Sequence, residues 1–182
     1  MRFRRGILLW LVVCALVAGG AASTAAAAGS RTTAGTSVTR VVTLEARVIR
    51  ELNAVRATHG LPRFKRSNAL SRTALGHSVA MATIGFFTHE SQDGTPFWRR
   101  VQQLYGPRTK GWTVGENLAM FGGAEPTAAN IVAAWMASPP HRANVMRAMF
   151  REAGVGVIFN PAAGGVFGGE PTWVVTLDVG SR

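Results

Sequence analysis

The chain has 182 residues, which suits one domain with a sizeable core once any leader is removed. Its hydrophobic content of 47% is ordinary for a globular protein, while the 16% of charged residues are mostly basic, 20 Lys+Arg against 9 Asp+Glu, for a net charge of +11. The single cysteine, Cys14, excludes a disulfide framework. At the start of the chain, Arg2, Arg4 and Arg5 precede the apolar run GILLWLVVCALVAGG and the small-residue stretch AASTAAAAG. This order reads as a secretory signal peptide over residues 1–28. The apolar run is shorter than the roughly 20 residues a membrane-spanning helix needs, so no stable span is expected after cleavage. Cys14 falls inside the leader, and LVVC lacks the small residue a lipoprotein box wants before its cysteine. The mature chain therefore has no thiol nucleophile and no Cys-ligated metal, and its expected location is secreted, outside the cell. Without the three leader arginines, 17 basic residues face 9 acidic ones, net +8. Such a body meets anionic wall polymers and lipid head groups. No basic stripe interleaved with aromatics and no nucleic-acid module is present, so nucleic acid is not an expected partner.

Residues 29–40 read as a flexible, small and polar linker, and residues 41–182 as the domain. From about Thr39 the pattern turns helical, with Val42, Leu44/Glu45, Val48, Leu52 and Val55 at helical spacing, ending at His59-Gly60. Pro62 holds LPRF extended. Ser67 is the N-cap of a second helix, with Leu70, Ala74, His77, Met81 and Ile84 on one face and Gly85 as its stop. Thr95-Pro96 reads as a cap followed by proline at the first helical position of a third helix lined by Phe97, Val101 and Leu104. WTVGENLAMF is open between a short strand and an irregular segment. Thr127 caps a fourth helix, and Ser138-Pro139 opens a short fifth. VGVIF and TWVVTLDVG are β-rich. In the latter, Trp173, Val175, Leu177 and Val179 alternate with Val174, Thr176 and Asp178, and the Gly-rich connection predicts an antiparallel pair. Helices followed by strands predict an α+β domain.

Of the four histidines, His59 reads as a helix C-terminal residue and His77 as a hydrogen-bonded core residue. His89, in FFTHES, is either a polar loop residue covering Phe86 and Phe87 or part of a site. Glu116, in GEN, either fixes an irregular turn or serves chemistry, because a buried carboxylate needs a partner. With Ser138 as N-cap, Pro139 and Pro140 occupy the first helical turn, where their missing N–H groups cost nothing, and His141 stands at N3. The positive end of the helix dipole there disfavours protonation, leaving an imidazole able to bind a metal or act as a base. Two histidines and one carboxylate are enough for a divalent-metal site if they converge. No HExxH helix, GxSxG elbow or phosphate loop is present.

Taken in order, LNAVRATHGLP, SNALSRTALGHSVAMATIGFFTHESQDG, GENLAM, VAAWMASPPHRANVM and EAGVGV resemble the blocks of the bacterial branch of the CAP superfamily, also called SCP-like extracellular proteins. The resemblance covers about Val42 to Gly180. It implies a three-layer α-β-α sandwich with a central antiparallel sheet and a cleft holding a His/Glu tetrad. His89, Glu116 and His141 fall on three tetrad positions. The fourth, three residues beyond Trp135, is Ser138 instead of glutamate, and Pro140 stands where glycine is more usual. The family is linked to divalent-metal, sterol or lipid binding and occasionally to proteolysis, so the fold constrains function weakly.

Three readings follow. The favoured one is an exported, non-enzymatic module that binds a cell-wall polymer, an anionic lipid or a small apolar ligand, with His89, Glu116, Ser138 and His141 lining its cleft and no required cofactor. The second is a metal-dependent hydrolase, with His89 and His141 holding a divalent ion such as zinc and Glu116 as general base. The third is a structural or interaction domain whose cleft residues only hold loops.

Overall fold

The computed structural model describes residues 37–106 and 111–182. The signal-peptide expectation for residues 1–28, and most of the linker, lie outside the described residues. Five strands and five α-helices follow in the order β1 (Thr39–Arg40), α1 (Val42–Thr58), β2 (Lys65–Arg66), α2 (Asn68–Ile84), α3 (Phe97–Tyr105), β3 (Thr113–Gly122), α4 (Ala128–Ala137), α5 (Pro139–Met146), β4 (Glu152–Ala163) and β5 (Glu170–Ser181), with a 3-10 turn at Gly165–Phe167. The sheet runs β1-β4-β5-β3, antiparallel throughout, and the short β2 adds to β4 in parallel.

The alternation along β5 sorts the two faces. Trp173, Val175, Leu177 and Val179 join a cluster with Leu44, Val48 and Leu52 of α1 and Ile131, Val132 and Trp135 of α4. Val174 turns the other way, into a cluster with Met81 and Ala82 of α2. Helices α1, α4 and α5 therefore cover one face, and α2 with α3 covers the other. This is an α-β-α sandwich around an antiparallel sheet, as expected.

The glycines of EAGVGV have a packing reason. A methyl group on Gly154 would lie 2.0 Å from the backbone nitrogen of Ser71, and one on Gly156 would lie 2.4 Å from Leu75 Cα. Both neighbours are backbone that cannot give way, so α2 rests directly on the β4 main chain and only glycine fits.

Helix boundaries follow the capping residues. Ser67 accepts from Leu70 N, Gly85 closes α2 in the left-handed region at φ 89°, and Thr127 accepts from Asn130 N. Two local expectations are corrected, at Thr39–Arg40 and at the start of α3, and two stretches left open by the sequence are resolved. Thr39–Arg40 is neither linker nor helix but an edge strand on β4, because the Arg40 guanidinium forms a two-pronged bond to buried Glu45, with Nε to Oε1 at 2.9 Å and Nη2 to Oε2 at 2.8 Å. The chain beyond LPRF forms β2, since Lys65 N donates to Arg151 O and Ser67 N to Ala153 O. Helix α3 begins one residue later than read. Pro96 is its N-cap, and Thr95 N instead donates to Asp93 Oδ1 at 2.9 Å. WTVGENLAMF resolves into strand β3, ten residues long and paired along its whole length with β5.

Candidate functional site

Strand β3 is the edge of the sheet beside β5, and the three residues of GEN act in three directions. Gly115 leaves room for α5, since a methyl group there would lie 2.7 Å from Asn144 Oδ1. Asn117 donates from Nδ2 to the carbonyl of His141 at 2.9 Å. Asn144 returns two bonds from its own Nδ2, to Glu116 O at 3.0 Å and Asn117 Oδ1 at 2.9 Å. The start of α5 is thereby tied to the sheet edge, which also covers backbone groups that an edge strand would leave open.

Between them, Glu116 turns toward the α2/α3 face. Its side chain is 0% exposed. One oxygen, Oε1, meets His89 Nδ1 at 2.8 Å, and the other, Oε2, accepts from Arg100 Nη2 on α3. Arg100 also donates from Nη1 to His89 O and Ser91 Oγ, both at 3.2 Å, fixing the loop that carries His89. Both carboxylate oxygens are thus committed, as a buried charge requires. The hydrogen bond to Glu116 pushes the His89 pKa up, outweighing its partial burial. His89 Nδ1 is used by this bond, so the nitrogen left for a ligand is Nε2, on a side chain 44% exposed.

His141 stands at the third residue of α5, and Pro139 and Pro140 occupy the first turn without loss. Ser138 is the N-cap residue, but its hydroxyl makes no capping bond; the fixing contact is its carbonyl, which accepts from Arg142 N at 2.8 Å. The His141 pKa is lowered, first by burial and then by the charge of His89. The direction matches the expectation from the helix dipole, with burial as the leading cause.

His89, Glu116 and His141 line one cavity of about 450 Å³, together with Glu90, Phe97, Pro140 and Asn144. Ser138 is not among its lining residues. His77, read as a core histidine, is buried with its Nε2 2.9 Å from Thr88 O and its ring edge-on to Phe86. His59 is the C-cap residue of α1, its Nδ1 2.8 Å from Val55 O.

Three residues of the site escaped the sequence reading. Arg100 and Asn144 are two of them, and neither carries a local signal apart from its proximity to Phe97 and His141. The third is Asp178, whose signal was present: an acid alternating with Val174 and Thr176 on a strand that reads as core. Asp178 is fully buried and stands opposite Glu116 in the β3–β5 ladder. Burial and the Glu116 charge push its pKa well above the usual carboxylate range. The hydrogen bonding agrees. The Thr73 hydroxyl lies 2.9 Å from Leu70 O and 2.5 Å from Asp178 Oδ2, and its one proton cannot serve both. A proton on Asp178 would supply the second; donated from Thr73 instead, the bond lowers the Asp178 pKa but does not overcome burial and the Glu116 charge.

Asp178→Asn should therefore be tolerated and pH-revealing. Between the ordinary aspartate pKa of about 3.9 and the raised folded value, the native state holds a proton that the unfolded chain has lost, so Asp178 costs more stability as pH rises. The neutral amide removes that dependence. The variant's melting temperature should exceed the wild type's at pH 7, and the gain should shrink toward pH 4. A gain independent of pH would mean the carboxyl is not held protonated.

The family resemblance implies a divalent metal. Among the described residues, no group of three or more His, Cys, Asp or Glu side chains is arranged to hold an ion. With both Glu116 oxygens engaged, the cavity offers His89 Nε2, the His141 ring and the Glu90 carboxylate, which accepts from Thr88 and is not grouped with the two imidazoles as a ligand set. Without a third side chain converging on the two imidazoles, these residues do not fit the three protein ligands of catalytic zinc.

The family model for the cysteine-rich secretory protein family, CAP, matches residues 49–177, more than half of the chain. The "uncharacterized protein YkwD" of Bacillus subtilis (strain 168) is 33% identical over 142 residues, 78% of this chain and 51% of that protein, so the chain spans about half the length of this relative. Among solved structures, an extracellular protein containing an SCP domain from Bacillus anthracis matches with a TM-score of 0.60 at 21% identity, over 78% of this chain and 41% of that one. An outer surface protein from Borrelia burgdorferi matches with a TM-score of 0.57 at 17% identity, over 79% and 98%. At these identities the structures speak for the fold alone. No helix among the described residues is long and apolar enough to cross a membrane. From the family match over residues 49–177, we conclude that the chain belongs to the cysteine-rich secretory protein (CAP) family.

Proposed function

We propose that this chain is an exported, extracellular CAP domain that binds a small ligand in the His89–His141 cavity and does not catalyse a reaction there. The observation that carries this reading is the burial of Glu116 with both its oxygens engaged. A general base must reach a water or substrate proton. Glu116 is fully buried, and its two oxygens are held by His89 and Arg100. What faces the cavity is a recognition set: a hydrogen-bonding nitrogen on His89, the His141 imidazole, the Asn144 amide, the Glu90 carboxylate at its exposed side, and the apolar bodies of Phe97 and Pro140. A mostly apolar pocket with a few placed polar groups is the ordinary form of a small-molecule site. Export is supported by the basic n-region and apolar run of the leader and by the similar structures, which are of an extracellular and an outer surface protein.

The experiment is a fragment screen by amide NMR. Hits should shift the resonances of His89, Phe97 and His141, and the same hits should be lost in His89→Ala/His141→Ala. Casein incubated with the protein, with and without zinc, should remain intact. Cleavage that disappears in Glu116→Gln would overturn the non-catalytic reading, and hits unaffected by the double variant would overturn the cavity as the site.

A further inference from the structure

We propose that the chain carries a second ligand site, separate from the His89–His141 cavity, that accepts a soluble, multiply charged phosphate compound such as a pyrophosphate or a short phosphodiester chain. It is a cavity of about 580 Å³ at the end of the sheet where β4 begins and β5 finishes, and it shares no lining residue with the histidine cavity. Arg63, Lys65, Arg151 and Arg182 line it, against one acidic side chain, Glu152. That carboxylate is already engaged: Tyr105 donates its hydroxyl to Glu152 Oε2 at 2.5 Å, and Arg182 Nε lies 3.7 Å from the same oxygen.

The cations stand on fixed backbone. Lys65 N donates to Arg151 O at 2.8 Å, and Arg151 N donates to Gly180 O at 3.0 Å, so β2, β4 and β5 are laced together at the cavity floor. The Arg182 guanidinium is stacked 4.2 Å from the centre of the Tyr105 ring. Among the described residues, Arg63, Lys65 and Arg151 have no ion-pair partner.

A further positive charge sits behind the wall. Arg56 is 0% exposed, and its donors go to carbonyls alone: Nε to Pro62 O at 2.8 Å, Nη1 to Val145 O at 2.6 Å and Arg147 O at 3.2 Å, and Nη2 to Phe150 O at 3.1 Å. No carboxylate among the described residues pairs with it. Pro62, which accepts from Arg56, is itself a cavity-lining residue, and the charge of Arg151 reaches Arg56 strongly enough to lower its pKa further. A buried guanidinium without a counter-charge is electrostatically expensive, and its field is screened least where protein rather than water lies between it and the ligand. An anion in the cavity would supply the missing negative charge. Arginine forks match phosphate oxygens in pairs, and the volume exceeds one phosphate ion, which favours an extended or multiply charged phosphate. The site is concave, and proline supplies the only apolar side chain of its lining, which distinguishes it from a membrane-docking surface with apolar anchors.

The test is calorimetric titration of the full chain with inorganic pyrophosphate in 0.15 M salt. The wild type is compared with Arg63→Gln/Lys65→Gln/Arg151→Gln and with a control that loses the same charge elsewhere, Arg47→Gln/Arg50→Gln/Arg72→Gln. All six side chains are exposed, and equal melting temperatures should confirm folding. The cavity variant should lose at least tenfold in affinity and the control less than threefold. Amide shifts should centre on Lys65, Arg151, Glu152 and Ser181. His89→Ala/His141→Ala should leave pyrophosphate binding unchanged, so the two sites succeed or fail separately. Equal losses in both triple variants, no binding by the wild type, or binding to phosphatidylglycerol vesicles without binding to pyrophosphate would each overturn the proposal.

Discussion

Glu116→Ala should lower the unfolding free energy by about 3–5 kcal/mol, the cost of removing one partner from a buried charge network. Three parts of the fold meet at this side chain: β3 itself, α3 through Arg100, and the loop after α2 through His89. Alanine would leave Arg100, whose side chain is only 15% exposed, with no counter-charge. Glu116→Gln should cost less, because an amide can still accept from Arg100 and donate to a neutral His89 Nδ1. The glutamine variant also separates the two partners by pH. The His89 pKa is raised in the fold, so its contribution is fully present below the unfolded value of about 6.5 and is lost as pH rises through the folded value. The stability gap between wild type and Glu116→Gln should therefore be wider at pH 5.5 than at pH 8.5, and the part that persists at pH 8.5 belongs to Arg100. Urea denaturation at the two pH values measures both. A gap that does not narrow would mean that the histidine bond contributes nothing to the fold.

What could be read in advance follows the range of the interactions. Periodicity and capping chemistry are local, so α1, α2, α4 and the β4–β5 pair were legible from apolar spacing and from Ser67, Gly85 and Thr127. The strand at GENLAM was legible only as one of two alternatives, because Gly115, Glu116 and Asn117 each answer to a partner far along the chain rather than to a β pattern. The two-residue strands β1 and β2 have no period at all and exist only because β4 offers backbone partners. The family resemblance brought His89, Glu116 and His141 together, and all three line one cavity. It could not supply Arg100, Asn144 or Asp178. An arginine on an amphipathic helix and an asparagine in a short one look like surface residues until the cavity is built. The resemblance also directed attention to Ser138 as the place of a missing carboxylate, while the second carboxyl group beside Glu116 arrives from β5.

Arg56→Ala should be at least as damaging as Glu116→Ala, with a loss of about 3–5 kcal/mol by urea denaturation. The sequence places Arg56 four residues after Leu52 on the stripe Leu44, Val48, Leu52, so an amphipathic reading puts a charge on the apolar face. The structure gives the reason. Its guanidinium gathers four carbonyls from two segments, Pro62 after α1 and, from the end of α5 to the start of β4, Val145, Arg147 and Phe150, and lies 3.9 Å from the centre of the Phe64 ring. Hydrogen bonds from a charged donor are worth about 1.5–3 kcal/mol each, and the carbonyls left behind are costly to bury unpaired. Relief from burying an uncompensated charge offsets part of that loss, which is why the expected figure is well below the sum of four bonds. Arg56→Lys tests the division. It keeps the charge but has three donors on one point instead of a planar fork, so it cannot span both segments. If geometry dominates, lysine should recover less than half of the stability lost by alanine. If charge alone mattered, lysine would restore nearly all of it, and the role assigned to the fork would fall. Because Val145 follows His141 and Asn144 on α5, the same loosening should reach the histidine cavity, and fragment binding there should weaken in Arg56→Lys even at temperatures where the protein remains folded.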